Sequence, residues 1–247
     1  MSLKAMAFID GAWLYKSRNA LFEKLGMESG CEIDYAKLPS LICEQVAKTA
    51  GEDVGLVRTH YFGAVPAARP GHAPSKQGSF YDFLERSCGY ETDIAEMPVG
   101  CDSHAEESWI RMALGASMLF NAMLPTAYDV AILFGDNICY GPMLSKVRML
   151  GKRIQIVSAH TSDGTSPLLG SPQVGKQRFF DFQPLFIDDY ADQIRLVREL
   201  VMRICKKCGS DEQTTWAGPD FFCSKCRGKH RGTDDTVIRI STATPRQ

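Results

Sequence analysis

The chain has 247 residues, of which 45% are hydrophobic and 23% charged, and its formal net charge is −1. That length holds one α/β domain with a small appendage, and the composition is that of an ordinary folded, water-soluble chain. The charge balance excludes a globally basic nucleic-acid binder, so any such surface must be local. No apolar run approaches the roughly 18 residues that span a bilayer, and a strand-like run begins within a few residues of Met1, leaving no room for a signal peptide.

The run from Ala5 to Asp10 is apolar, ends in a carboxylate and is followed by Gly11, the pattern of a buried strand with a functional or turn residue at its carboxyl end. A helical pattern follows from Trp13 to Leu25, and a second runs from Asp34, an N-cap residue type, to Thr49, with Gly51 as its stop. Val54 to Val65 reads as a strand and Pro66 to Ser75 as an exposed loop. Lys76 to Cys88 reads as a helix with Phe80, Phe83 and Leu84 on one face and Gly89 as its cap. Tyr90 to Met97 is a further strand, Pro98 to Ser103 a turn, and His104 to Met123 a long helix apolar enough to be central. Tyr128 to Phe134 is the clearest buried strand and runs into Gly135-Asp136-Asn137. A helix from Pro142 to Leu150 closed by Gly151, a strand from Arg153 to Ser158, a mobile loop from Thr161 to Gly175 and a long helix from Pro184 to Ile204 complete the pattern. Strands alternating with helices over residues 4–158 predict a mostly parallel sheet covered on both faces. Ligands bind such sheets at the carboxyl ends of their strands, where Asp10 and Asp136 both fall.

Nine cysteines, an odd count containing two C-x-x-C pairs, suit a reducing compartment rather than a disulfide framework, so the expected location is the cytoplasm. Cys31, Cys43, Cys88, Cys101 and Cys139 are expected to be free thiols, several of them buried. Cys205 and Cys208 form one C-x-x-C pair, and Cys223 and Cys226 the other. Each pair sets two thiolates on one tight turn, and two such knuckles complete a tetrahedral Zn²⁺ sphere. A saturated Cys₄ site leaves no position for water, so its zinc is structural. The segment resembles the zinc-ribbon family, with Phe221 and Phe222 as its small core. Lys206, Lys207, Lys225, Arg227, Lys229 and Arg231 surround the knuckles, and cations interleaved with aromatics suit phosphates and stacked bases. A plain solvated surface is the alternative.

The opening Phe8-Ile9-Asp10-Gly11-Ala12-Trp13-Leu14 and the later run Tyr128 to Asp136, ending in Phe-Gly-Asp, resemble the two signatures of the NYN family within the PIN-like nucleases. The resemblance covers residues 4–190. It implies a PIN-like three-layer α/β fold and a metal-dependent ribonuclease, with Asp10 and Asp136 as catalytic ligands of Mg²⁺ or Mn²⁺ and Glu106 or Glu107 as a third carboxylate. Carboxylates gathered at strand ends repel one another unless a hard cation neutralises them. The sequence departs from the family pattern at Ala12 and Trp13, where Asn is usual, and at Ile138, where a second Asp is usual. Trp13 either stacks a nucleobase or fills the space those polar groups leave. Asp10 can instead cap the first helix, Asp136 can be a turn residue, and Glu106 and Glu107 can be partners of the helix dipole. Asp188 and Asp189 read as a solvated first turn, and among the histidines only His104 falls near the acidic positions.

The expected organisation is therefore an NYN/PIN-like domain over 1–190, a connecting helix over 191–204, and a zinc ribbon with tail over 205–247. The expected activity is RNA hydrolysis assisted by the ribbon, with RNA as the partner and no membrane association; the alternative is a degenerate module that binds RNA or protein without cutting. A homodimer is compatible with the sequence.

Overall fold

Along β1 (Leu3–Asp10) every residue from Ala5 to Asp10 is buried, as expected of a strand covered on both faces. The computed structural model describes residues 2–24, 32–67, 76–98, 100–160, 168, 179–197, 201–214 and 220–227. β1 lies inside a six-stranded sheet with β2 (Val54–Pro66), β3 (Glu91–Met97), β4 (Val130–Phe134), β5 (Arg153–Ser158) and β6 (Leu185–Phe186). The order is β3-β2-β1-β4-β5-β6, and every pair is parallel.

Side chains of the central strands alternate between two cores. Ala5, Ala7 and Ile9 of β1 and Val130, Ile132 and Phe134 of β4 pack with Leu14, Leu38, Ile42 and Leu84. These come from α1 (Gly11–Lys24), α2 (Leu38–Ala50) and α3 (Lys76–Cys88). Met6, Phe8, Ala131 and Leu133 face the other way, onto Ile110, Leu114, Met118, Leu144 and Val147, carried by α4 (Ser103–Met123) and α5 (Gly141–Met149). The result is an α/β fold of three layers. The chain builds β2 and β3 on one side of β1, then crosses back to build β4, β5 and β6 on the other. The β1–β4 junction is thus the point where the strand order reverses, and its carboxyl edge is the place such sheets hold ligands.

Local sequence accounts for two helix ends. Gly51 closes α2 at φ 66°, its N–H donating to the Ala47 carbonyl. Asp102 caps α4, accepting from the Ala105 N–H at 2.7 Å. Asp34 does not cap α2. Its carboxylate accepts from the Lys37 N–H and closes the turn ahead of the helix, which begins at Leu38 with Pro39 in its first turn.

Several expectations need correction. The long helix over Pro184 to Ile204, and with it the connecting helix over 191–204, is absent. Leu185–Phe186 is an edge strand on β5, Ile187–Tyr190 a 3-10 turn, and only Ala191–Ile194 (α6) is α-helical. The buried spacing of Ile187, Ala191 and Ile194 mimics a longer helix, but Val201–Ile204 (β7) pairs antiparallel with Asp211–Thr214 (β8) across the first knuckle. α4 is not central: it covers one face through Ile110, Leu114, Met118 and Ala122 and leaves Met112, Phe120 and Met123 exposed. On α3, Leu84 is buried and Phe80 packs on the core, while Phe83 is 44% exposed. Most of the expected loops over 66–75 and 161–175 lie outside the described residues.

Two compact units divide at Arg195 and Leu196. The second contains the β7–β8 hairpin, the four paired cysteines and a short helix, α7 (Ser224–Arg227). Among the described residues no helix is long and apolar enough to cross a membrane.

Candidate functional site

Asp10 is the last residue of β1 and Asp136 stands two residues beyond the end of β4, so the two neighbouring strands carry both carboxylates to one edge. Gly135 lies between them: a Cβ there would sit 3.5 Å from the Asp10 Cβ and 3.2 Å from the Tyr140 ring. Gly11 explains the Asp-Gly step on β1. A Cβ at position 11 would lie 2.5 Å from the Phe62 carbonyl oxygen and 2.6 Å from the Tyr61 ring, so α1 can start beside β2 only without a side chain.

Both aspartates are nearly closed off, Asp10 at 4% and Asp136 at 8% exposed. Asp10 Oδ1 accepts from the Trp13 backbone N–H at 2.9 Å, the bond of a helix N-cap, and Oδ2 accepts from the Tyr140 hydroxyl at 2.7 Å. Asp136 Oδ2 accepts from the Ser158 hydroxyl at 2.9 Å, and the Trp13 side chain acts on the Asp136 carboxylate to lower its pKa. Trp13 therefore influences both aspartates, its main-chain N–H bonded to one and its side chain acting on the charge of the other. The turn role expected of Asp136 belongs to Asn137, whose side chain accepts from the Cys139 N–H.

All these donors are neutral. Burial raises the Asp10 pKa above the usual carboxylate range, opposed by the Trp13 and Tyr140 hydrogen bonds and by the Arg111 charge. Burial likewise raises Asp136, opposed by Ser158 and Trp13 and reinforced by the negative charge of Asp10. Burial, then the adjacent Asp10, keeps the Tyr140 phenol protonated and so a donor.

The candidate third carboxylates go elsewhere. Glu107 is ion-paired to Lys16 and, at 3.1 Å, to Arg111, and these hydrogen bonds, led by that of Lys16, hold its pKa down. Glu106 lies near Tyr81, whose phenol pKa is raised by burial and then by the Glu106 charge. Among the described residues, two sets of three or more potential ligands have donor atoms within 4.8 Å of one another. Neither set includes Asp10, Asp136, Glu106 or Glu107. His104 is exposed at the start of α4.

One of the two sets is Cys205, Cys208, Cys223 and Cys226. Cys208 Sγ and Cys223 Sγ are 3.5 Å apart; Zn–S bonds of about 2.3 Å in a tetrahedron separate sulfurs by roughly 3.8 Å. The first knuckle closes through the Gly209 N–H on the Cys205 carbonyl, with Gly209 at φ 72°. The second closes through the Cys226 N–H on the Cys223 carbonyl, and the Lys206 N–H on the Phe221 carbonyl joins the two. Backbone N–H donors, led by that of Cys223, hold the Cys205 thiol down at about 6, which favours the thiolate a metal needs. The four sulfurs can bind zinc.

Around this cluster Lys206 is ion-paired to Asp220, and the Arg227 guanidinium lies 5.9 Å from the Phe221 ring centroid. Lys207 and Lys225 are exposed, while Lys229 and Arg231 lie outside the described residues. The sequence reading missed Tyr140, Ser158 and the other set, His160, Asp188 and Asp189. A polar residue closing an apolar strand was the available signal for Ser158. Asp188, expected to be solvated, is 7% exposed.

No family model matches the chain, and no curated protein matches it. Among solved structures, a Vibrio parahaemolyticus protein of unknown function is similar to 79% of this chain over 97% of its own, with 16% identity and a TM-score of 0.49.

Proposed function

We propose that this chain is an NYN-like ribonuclease of the PIN-like superfamily, using Asp10 and Asp136 to hold Mg²⁺ or Mn²⁺ and a zinc-filled ribbon to help grip RNA. The observation that carries the reading is the convergence of two buried carboxylates at the strand-order reversal, hydrogen-bonded among the described residues to the neutral donors Trp13 N–H, Tyr140 and Ser158. Their oxygen donor set suits a hard divalent cation. When bound, such a cation supplies charge neutralisation and activation of water for attack on a phosphodiester.

The protein's own groups set the conditions for that chemistry. Tyr140 and Ser158 fix the carboxylate orientations from two directions, as supporting hydrogen bonds do around metal ligands. The Trp13 side chain lowers the Asp136 pKa and so favours the ionised carboxylate that a cation needs. Arg111, electrostatically coupled to Asp10 and held by Glu107, is a cation placed to attract the phosphate backbone. In the ribbon, exposed Lys207 and Lys225 are available for phosphate contacts.

A second reading, an RNA-binding module that does not cut, is favoured by the near-complete burial of both aspartates and by the Glu107 ion pairs that hold it apart from them. One assay separates the two. Single-stranded and structured RNA are incubated with the full chain and Mn²⁺, beside Asp136→Asn. Cleavage that falls at least about a hundredfold in the variant supports the nuclease. Cleavage that is equal in both removes Asp136 from the reaction, and a gel shift without cleavage selects the second reading.

A further inference from the structure

We infer that His160, Asp188 and Asp189 form a binding site for a divalent transition-metal cation, at the β5–β6 end of the sheet's carboxyl edge. The inference stands apart from the reading of Asp10 and Asp136 and needs no nuclease activity.

Adjacent strands deliver the three residues. β5 ends at Ser158, and His160 follows two residues later; β6 pairs with Val157 and Ser158 and passes directly into the 3-10 turn that carries Asp188 and Asp189. The Asp188 side chain is 4% exposed, and its Oδ1 accepts from the His160 backbone N–H at 3.1 Å. Its Oδ2 lies 2.8 Å from His160 Nδ1. Asp189 Oδ1 approaches the same nitrogen at 3.9 Å. The Phe186 ring stacks on the imidazole with centroids 3.9 Å apart and fixes its plane. The ligand atoms all fall within 4.8 Å of one another.

Metal–ligand bonds of about 2.0–2.2 Å set neighbouring donors of a tetrahedral or octahedral shell roughly 3.0–3.5 Å apart, and the two N···O separations bracket that range. One imidazole with two carboxylates suits Mn²⁺, Fe²⁺, Co²⁺ or Zn²⁺ better than Ca²⁺ or Mg²⁺. The asymmetry of exposure is also that of an accessible metal site: Asp188 is anchored from behind by the main chain, while His160 and Asp189 are 30% and 53% exposed, which leaves room for entry and for water ligands.

Mn²⁺ is the probe, because thiolate clusters prefer softer ions and zinc can be kept in the ribbon. The full zinc-loaded chain is titrated with Mn²⁺, free ion is counted by EPR, and imidazole nitrogen coupling is read by pulsed EPR. The wild type is expected to hold one Mn²⁺ with nitrogen coupling. His160→Ala should lose that ion and its coupling, and Asp189→Asn should weaken it by about tenfold or more. Asp136→Asn should leave the nitrogen-coupled ion in place. The site is overturned if the wild type shows no nitrogen-coupled Mn²⁺, or if His160→Ala retains it. It is equally overturned if the bound ion disappears in Asp136→Asn and persists in His160→Ala, since the ion then belongs to the aspartate pair. Should His160→Ala fail to fold, Asp189→Asn decides through its exposed side chain, and undiminished Mn²⁺ affinity there rejects the site.

Discussion

Trp13 acts on both aspartates, through its main-chain N–H on Asp10 and through the influence of its side chain on the charge of Asp136. The main-chain N–H on Asp10 belongs to the start of α1 and cannot leave without unwinding it. Charge at the same residues sets a pH signature. Burial raises the folded pKa of Asp136 above its ordinary value of 3.8. Its stabilising contribution is therefore complete below that value, where the carboxyl is protonated folded or unfolded, and is lost as pH rises through the folded value. Asp136→Asn removes the buried charge, so the variant should be more stable than wild type at pH 7, by on the order of 1 kcal/mol. The advantage should vanish near pH 4, and thermal melts across pH 4–8 would show it. A variant less stable at pH 7 would mean that the hydrogen bonds outweigh the desolvation.

Elements bring these side chains to the edge, and the tightest constraint is the β1–α1 step. Gly11 abuts the Phe62 carbonyl, a backbone atom that cannot rotate away. Gly11→Ala should therefore displace α1 from β2 and destabilise the fold by roughly 2 kcal/mol, in the range of overpacked cores. Denaturant unfolding measures it, and a loss below a few tenths of a kcal/mol would contradict the geometry. α4 contributes differently. Its buried stripe holds the face of the sheet, and its first turns carry Glu107 and Arg111, a pair anchored to α1 through Lys16. That ion pair ties two helices on either side of the acidic edge and withholds Glu107 from it.

At the scale of the whole molecule, the two compact units draw stability from different sources. Residues 1–195 have two extensive apolar cores. The described core of the second unit is Cys205, Phe221 and Cys223 with Cys226 against them, and a metal held by the four sulfurs is the expected source of its stability. Stripping zinc with a chelator should therefore release the amides of Val201–Ile204 and Asp211–Thr214 to fast hydrogen exchange, while those of β1 and β4 stay protected. Continued protection of the hairpin after complete zinc removal would show that it folds without metal.

Sequence alone determined what rests on local pattern. Continuous apolar runs marked β1 and β4 because strands buried on both faces need them, Gly51 and Gly89 marked helix ends because they adopt positive φ, and the two C-x-x-C pairs marked a four-sulfur cluster because tight turns fix its bite. Asp10 and Asp136 were legible as strand-end carboxylates. Tertiary structure alone decided their surroundings: that Tyr140 and Ser158 bind them, that Glu107 is drawn away to Lys16 and Arg111, and that His160 meets Asp188 across β5 and β6. It also decided that Val201–Ile204 is a strand, since its partner lies beyond the knuckle. The physical reason is common to all of these. A hydrogen bond, an ion pair or an edge-strand pairing is chosen by whichever group the fold delivers within reach, and no spacing within a single element encodes that choice.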